Sequence, residues 1–170
     1  MSNNITDGDK QELIEFLKTD AFLTNGKKVL EFEEAWSKWL GVKYSVFVNS
    51  GSSANLITMA YLKTILPKHA WIAVPTLTWV SDISSVIQNE FEPKFYDIDP
   101  KTLGMKCDGQ LVDATFLTHV MGFSALESQK DYPFLIEDCC ESHGATHKGQ
   151  KLGTFGYISN FSFYFAHHMS

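Results

Sequence analysis

Residues 71–99, WIAVPTLTWVSDISSVIQNEFEPKFYDID, decide the fold. WIAVP is a short apolar run closed by proline, Trp79 to Phe91 carries apolar residues at helical spacing, and PKFYDID is again a short aromatic run closed by acids. Strand, helix and strand in that order form a βαβ unit, which predicts two parallel strands. Outward from it the pattern repeats. YSVFVNS (residues 44–50) reads as a strand and Ser52 to Leu66 as a helix, while ATFLTHVMG, PFLIED and YISNFSFYF read as further strands. A short helical piece is expected around ALESQKD and a glycine-bearing loop from Gly144 to Gly156.

Several of these runs are nearly continuous in apolar residues and do not alternate. That predicts an α/β fold whose mainly parallel sheet is buried under helices on both faces. Two helices lead in. In DGDKQELIEFLKT, Asp7 is the expected cap and Leu13, Phe16 and Leu17 share a face. After TNG, residues Val29, Phe32, Trp36, Trp39 and Leu40 recur at helical spacing, and Gly41 stands where a helix ends.

The 170 residues suit one domain with a real core. A net charge of -6 excludes a duplex nucleic-acid binder, because phosphate neutralisation needs a basic face. All 14 basic residues are lysines, so no guanidinium fork can clamp a carboxylate or phosphate. No run approaches the length needed to span a bilayer, and the polar start MSNNITDGDKQE lacks an apolar core. The three cysteines, Cys107, Cys139 and Cys140, form no disulfide framework, and the expected compartment is the cytoplasm.

VNSGSSANL places Asn49, Ser50, Gly51, Ser52 and Ser53 between a predicted strand and helix. The stretch reads either as an anion cradle built from exposed amides and hydroxyls or as an N-capped turn. Trp79 follows a strand end, where ligands of open α/β sheets gather, although a tryptophan there also serves as core. FLIEDCC puts Glu137 and Asp138 at the end of an apolar strand. A carboxylate emerging there requires a partner such as a protonated ring nitrogen, or else caps a helix. Cys139, Cys140, His143 and His147 fit a metal site only loosely, since adjacent cysteines seldom chelate one tetrahedral ion, and no metal is expected. His69 and His119 have no partner spacing and read as structural.

Together, TNGKKVLEFEEAWSKWLG, VNSGSSANL, VPTLTWVSD, FYDID, IEDCCESHGATHKGQKLGTFG and NFSFYFAHHMS resemble the nucleotide-sugar aminotransferase (DegT/DnrJ/StrS) family, which has the aspartate aminotransferase fold of pyridoxal-phosphate enzymes. The resemblance covers nearly the whole chain. It implies that residues 1–170 are a single, incomplete large domain, with helices over 1–40 and the α/β sheet over 41–170, and that a C-terminal small domain is absent.

The resemblance also implies roles for individual residues. Gly51, Ser52 and Ser53 would hold the cofactor phosphate and Ser162 would close that cup. Trp79 would stack on the pyridine ring, and Asp138 would pair with the ring nitrogen. Glu141 falls where many relatives carry a glutamine near the ring hydroxyl. His167 takes the place of the lysine that tethers the cofactor, and His168 that of an asparagine.

An imidazole forms no stable imine, so the cofactor would be held without a covalent bond. This exchange is similar to the subgroup of sugar 3-dehydratases that use pyridoxamine 5'-phosphate. On that likeness, His167 would act as base on the cofactor's C4' methylene once the cofactor has condensed with the C4 ketone of a nucleotide-linked 4-keto-6-deoxyhexose, with glutamate as amino donor and a homodimer as the assembly. The cysteines supply no four-cysteine cluster, which favours the cluster-free route. An aminotransferase-like protein using Lys148 or Lys151, or a non-catalytic cofactor-binding remnant, are the alternatives.

Overall fold

The structure, a computed structural model, describes residues 5–106, 111–126, 132–167 and 169. Cys107, His168 and most of the segment around ALESQKD lie outside the described residues. Two compact units divide between Phe47 and Val48.

The first unit holds α1 (Asp7–Leu17) and α2 (Lys27–Leu40). Thr6, and not Asp7, caps α1. The Asp9 N–H donates to Thr6 Oγ1 at 3.3 Å and the Thr6 N–H donates to the Asp9 carboxylate at 2.7 Å, a reciprocal capping box. In α2, Trp36 and Leu40 are buried, and Trp36 packs against Trp39 with ring centres 4.6 Å apart. Gly41 ends the helix at φ 89°, as its position predicts.

The strand expected over 44–50 does not form. The Phe47 N–H donates to the Glu33 carboxylate at 2.7 Å, and Tyr44 and Val46 are 76% and 80% exposed. A β-prone run becomes a strand only beside a partner, and among the described residues this one has none.

The second unit contains α3 (Gly51–Leu62), β1 (Trp71–Pro75), α4 (Val80–Gln88), β2 (Glu92–Tyr96), β3 (Ala114–Thr118), β4 (Leu135–Asp138), β5 (Thr146–His147), β6 (Gln150–Lys151) and β7 (Ile158–Asn160). Five strands form one sheet in the order β2-β1-β3-β4-β7, and all four pairings are parallel. The continuous apolar runs have the burial they predict: β3 and β4 are buried at every position and β1 at four of five. On one face Ile72, Val74, Phe116 and Ile136 pack with Met59 and Leu62 of α3 and Val86 of α4. On the other, Ala73, Leu117 and Leu135 pack with Tyr96, Met105 and Ala125. Each large aliphatic or aromatic side chain so buried contributes roughly 1.5–3 kcal/mol.

Several elements are shorter than their sequence pattern. α4 begins after Trp79, which is its cap, and stops before Glu90, whose φ of 64° leaves the helical region. The run ATFLTHVMG leaves the sheet after Thr118 and turns through Val120–Gly122, with Met121 at φ 54°. YISNFSFYF pairs only as far as Asn160, because β4 ends at Asp138 and offers nothing further to bond. β5 and β6 make a small hairpin whose two turn residues, Lys148 and Gly149, both have positive φ. Among the described residues no helix is long and apolar enough to cross a membrane.

Candidate functional site

Because the sheet is parallel, Pro75, Thr118, Asp138 and Asn160 all finish at one edge. The chain order reverses between β1 and β3, which opens a crevice at that edge. The hydroxyls of Thr78 and Thr118 meet across it at 2.6 Å.

The start of α3 faces the same region. Ser50 caps the helix by accepting the Ser53 N–H at 3.1 Å, which leaves the Gly51 and Ser52 N–H groups without intrahelical acceptors. Gly51 is required by a close approach, since a Cβ there would lie 2.9 Å from Ser162 Cβ and 3.0 Å from Cys140 Sγ. Ser162 is buried. Its carbonyl is 3.3 Å from His167 Nδ1, and the His167 N–H donates to the Tyr164 carbonyl at 2.8 Å. A carbonyl only accepts, so this contact puts the ring proton on Nδ1 and leaves the Nε2 lone pair available. Gly51, Cys140, Ser162 and His167 therefore form one connected group.

Asp138 is 3% exposed; it accepts the Cys140 N–H at 2.8 Å and lies 3.4 Å from Asn55 Nδ2. The same amide donates to Asp82 Oδ1 at 2.7 Å and to Ser81 at 3.0 Å. Asp82 Oδ2 accepts from Thr118 at 2.9 Å and from Thr78. Burial, then the charge of Asp138, push the Asp82 carboxyl up to about 9, against the opposing hydrogen bonds of Thr78 and Thr118. Burial, then Asp138, likewise push the Cys140 thiol far up, so it is no nucleophile.

Glu137, on the other face of β4, is fully satisfied. One oxygen accepts from the His119 ring at 3.1 Å and the Gly153 N–H at 2.8 Å; the other accepts the Phe155 and Gly156 N–H groups at 2.8 and 2.6 Å. His119 Nδ1 accepts the Ala125 N–H at 3.0 Å, so its Nε2 carries the proton given to Glu137. His119, Glu137 and Cys139 offer ligand atoms within 4.8 Å of one another, yet the histidine and carboxylate have no free lone pair directed at an ion, and burial holds the thiol protonated. The cluster is structural. The looser set read from the sequence does not assemble: His147 bonds Ser124 at 2.9 Å, while the His143 ring lies against Phe161 and Phe163.

Of the residues singled out from sequence, Trp79 stands at the crevice, 66% exposed. Glu141 uses its carboxylate to accept the Met121 N–H at 2.9 Å, which ties it to the turn after β3. Sequence reasoning missed Asp82, Asn55, Thr78 and Thr118. Asp82 sits in the quoted stretch VPTLTWVSD, but an acid in a helix's first turn reads as an exposed dipole partner until packing is known.

This parallel sheet, with its working groups gathered at the carboxyl edge, has the fold of pyridoxal-phosphate-dependent aminotransferases. The chain belongs to the DegT/DnrJ/EryC1/StrS aminotransferase family, whose sequence profile matches residues 3–115 and 117–170. It is 31% identical over 180 residues to the GDP-4-keto-6-deoxy-D-mannose 3-dehydratase of Yersinia pseudotuberculosis, covering 95% of this chain and 46% of that protein. A crystal structure of a histidine-to-asparagine mutant of GDP-4-keto-6-deoxymannose-3-dehydratase with bound GDP-perosamine superposes with a TM-score of 0.89 at 29% identity, over 99% of this chain and 48% of that one. A second, holding a trapped PLP-glutamate geminal diamine, gives 0.84 at 28% identity, over 99% and 48%. The chain spans about half the length of the relatives it matches.

Proposed function

We propose that this chain is the cofactor-holding part of a pyridoxamine-phosphate-dependent 3-dehydratase acting on a nucleotide-linked 4-keto-6-deoxyhexose. The observation that carries the reading is His167, an imidazole beside Ser162 and the start of α3, where an aminotransferase needs a lysine.

The residues present fit the cofactor. An arginine-free chain holds a phosphate best with the unpaired amides of Gly51 and Ser52, the hydroxyls of Ser52 and Ser53, and Ser162 opposite. Asp138 is a buried carboxylate with no ion pair among the described residues, as a site for a cationic ring nitrogen requires. Trp79 offers an exposed indole for stacking, and Glu141 borders the site by holding the turn at Met121. When bound, pyridoxamine phosphate supplies an amine for the C4 ketone and a ring that takes up an electron pair.

His167 would then take a proton from the cofactor's C4' carbon through Nε2, with Nδ1 fixed on the Ser162 carbonyl, and return it to the departing C3 hydroxyl. The remaining partners follow from the same reading: glutamate as amino donor, and a second copy of the chain to cover exposed apolar residues such as Phe165 and Phe123.

The test is to incubate the protein with pyridoxamine phosphate, glutamate and a panel of nucleotide 4-keto-6-deoxy sugars. Retained cofactor absorbance after gel filtration and a product lacking the C3 oxygen by mass are expected. Borohydride reduction that modifies Lys148 or Lys151 would instead move the reading to an aminotransferase. No retained cofactor and no dehydration would end it.

A further inference from the structure

Asp82 and Asp138 approach one another from α4 and β4, 0% and 3% exposed, and among the described residues neither forms an ion pair. Two ionised carboxylates in one enclosure repel strongly. The surrounding hydrogen bonds fix how that is avoided. Asn55 Oδ1 accepts from Asn160 Nδ2 at 2.9 Å and Asn160 Oδ1 accepts from Thr58 at 2.9 Å, an arrangement that turns the Asn55 Nδ2 toward the acids. Its Nδ2 is therefore a donor toward both acids, at 2.7 Å from Asp82 Oδ1 and 3.4 Å from Asp138 Oδ2. Thr78 and Thr118 occupy Asp82 Oδ2. A hydroxyl at Asp82 Oδ1 can accept from Asn55 and donate to Asp138 together, which an amide nitrogen in that place cannot do.

We propose that Asp82 is a positioning residue for Asp138: the two carboxyl groups hold a single proton between them across the Asn55 amide, so that Asp138 offers one fixed negative charge to the cofactor's ring nitrogen. The inference rests on the reading of Asp138 given under the proposed function. At neutral pH the proton belongs to the pair, with Asp82 pushed up to about 9 by burial and by Asp138. Among the described residues, Cys139 and Cys140 are the other titratable groups beside the pair, and burial keeps both thiols protonated, so neither adds a charge.

The first measurement needs neither cofactor nor variant. Infrared difference spectra of the cofactor-free protein are expected to show the carbonyl stretch of a protonated carboxyl at neutral pH, fading as the pH passes about 9. Asp82→Asn is expected to lack the band. Absence of the band in the unaltered protein overturns the proposal.

The second measurement is calorimetric titration with pyridoxamine phosphate and with its analogue carrying carbon in place of the ring nitrogen. Asp82→Asn is expected to weaken the first by about tenfold, the loss of one charge-assisted hydrogen bond, and to leave the second unchanged. Equal weakening of both ligands would mean a merely structural acid and defeat the positioning role. If Asp138→Asn binds pyridoxamine phosphate as tightly as the unaltered protein, the cofactor reading itself fails. The positioning role fails with it, while the infrared band still decides whether the proton is shared.

Discussion

Glu137 and Asp138 are consecutive on β4, equally hidden from water, and opposite in fate. On one face of the sheet, Glu137 receives four donors, His119 and three backbone amides, and nothing is left over. On the other, Asp138 receives the amide and the thiol of Cys140 and a distant share of Asn55, and faces a second acid. Burial alone does not distinguish them. The saturation of their lone pairs does: a carboxylate whose acceptors are all filled holds the fold, and one with fewer donors keeps lone pairs to offer.

The comparison breaks most visibly at Glu137. Glu137→Ala strands several buried donors at about 1–3 kcal/mol each and is expected to lose at least about 3 kcal/mol in urea unfolding. Burial raises the Glu137 carboxyl, but His119 and the amides of Gly153 and Gly156 outweigh it and hold the group below its ordinary value. A depressed acid contributes stability above the ordinary 4.5, lost as pH falls through the folded value, so the alanine variant should show a flatter acid limb.

Next is the opposite face. Gly51→Ala drives a methyl group into Ser162 and Cys140 and is expected to cost about 1–3 kcal/mol, read from the thermal midpoint.

Asp82 sharpens the contrast by reversing the pH dependence. Its folded value of about 9 lies above the ordinary 3.8, so the folded state holds more protons between them and stability declines as pH rises through that window. Asp82→Asn removes this slope and should gain on the unaltered protein by up to about 1.4 kcal/mol per pH unit. A constant difference would break the assignment.

The smallest effect on stability is expected at Asp138. Asp138→Asn removes the charge that holds the Asp82 proton, so it is expected to change stability at neutral pH by no more than about 1 kcal/mol while cofactor affinity falls, measured by urea unfolding and titration.

Much of this was legible in the chain. The βαβ pattern of 71–99 gave the parallel sheet, and the unbroken apolar runs gave its burial on both faces. Asp138 was visible as an acid ending such a run, and the exchange at His167 was visible by position. What was not legible depended on partners far away in sequence. YSVFVNS had the composition of a strand and, among the described residues, no neighbour to pair with. Glu137 and Asp138 looked alike until the alternation of β4 placed them on different faces. Asp82 became a buried acid only because α4 packs beside Asn55 of α3, 27 residues earlier.

The anchoring of Glu137 also bears on the order of folding. Its amide donors lie 16 to 19 residues further along the chain, so the segment around Gly153 to Gly156 has no seat until β4 has joined the sheet. Glu137 is the side chain that ties all three of these amides to the sheet. Gly153, Phe155 and Gly156 should accordingly exchange their amide hydrogens for deuterium in unison, opening as one latch and not three.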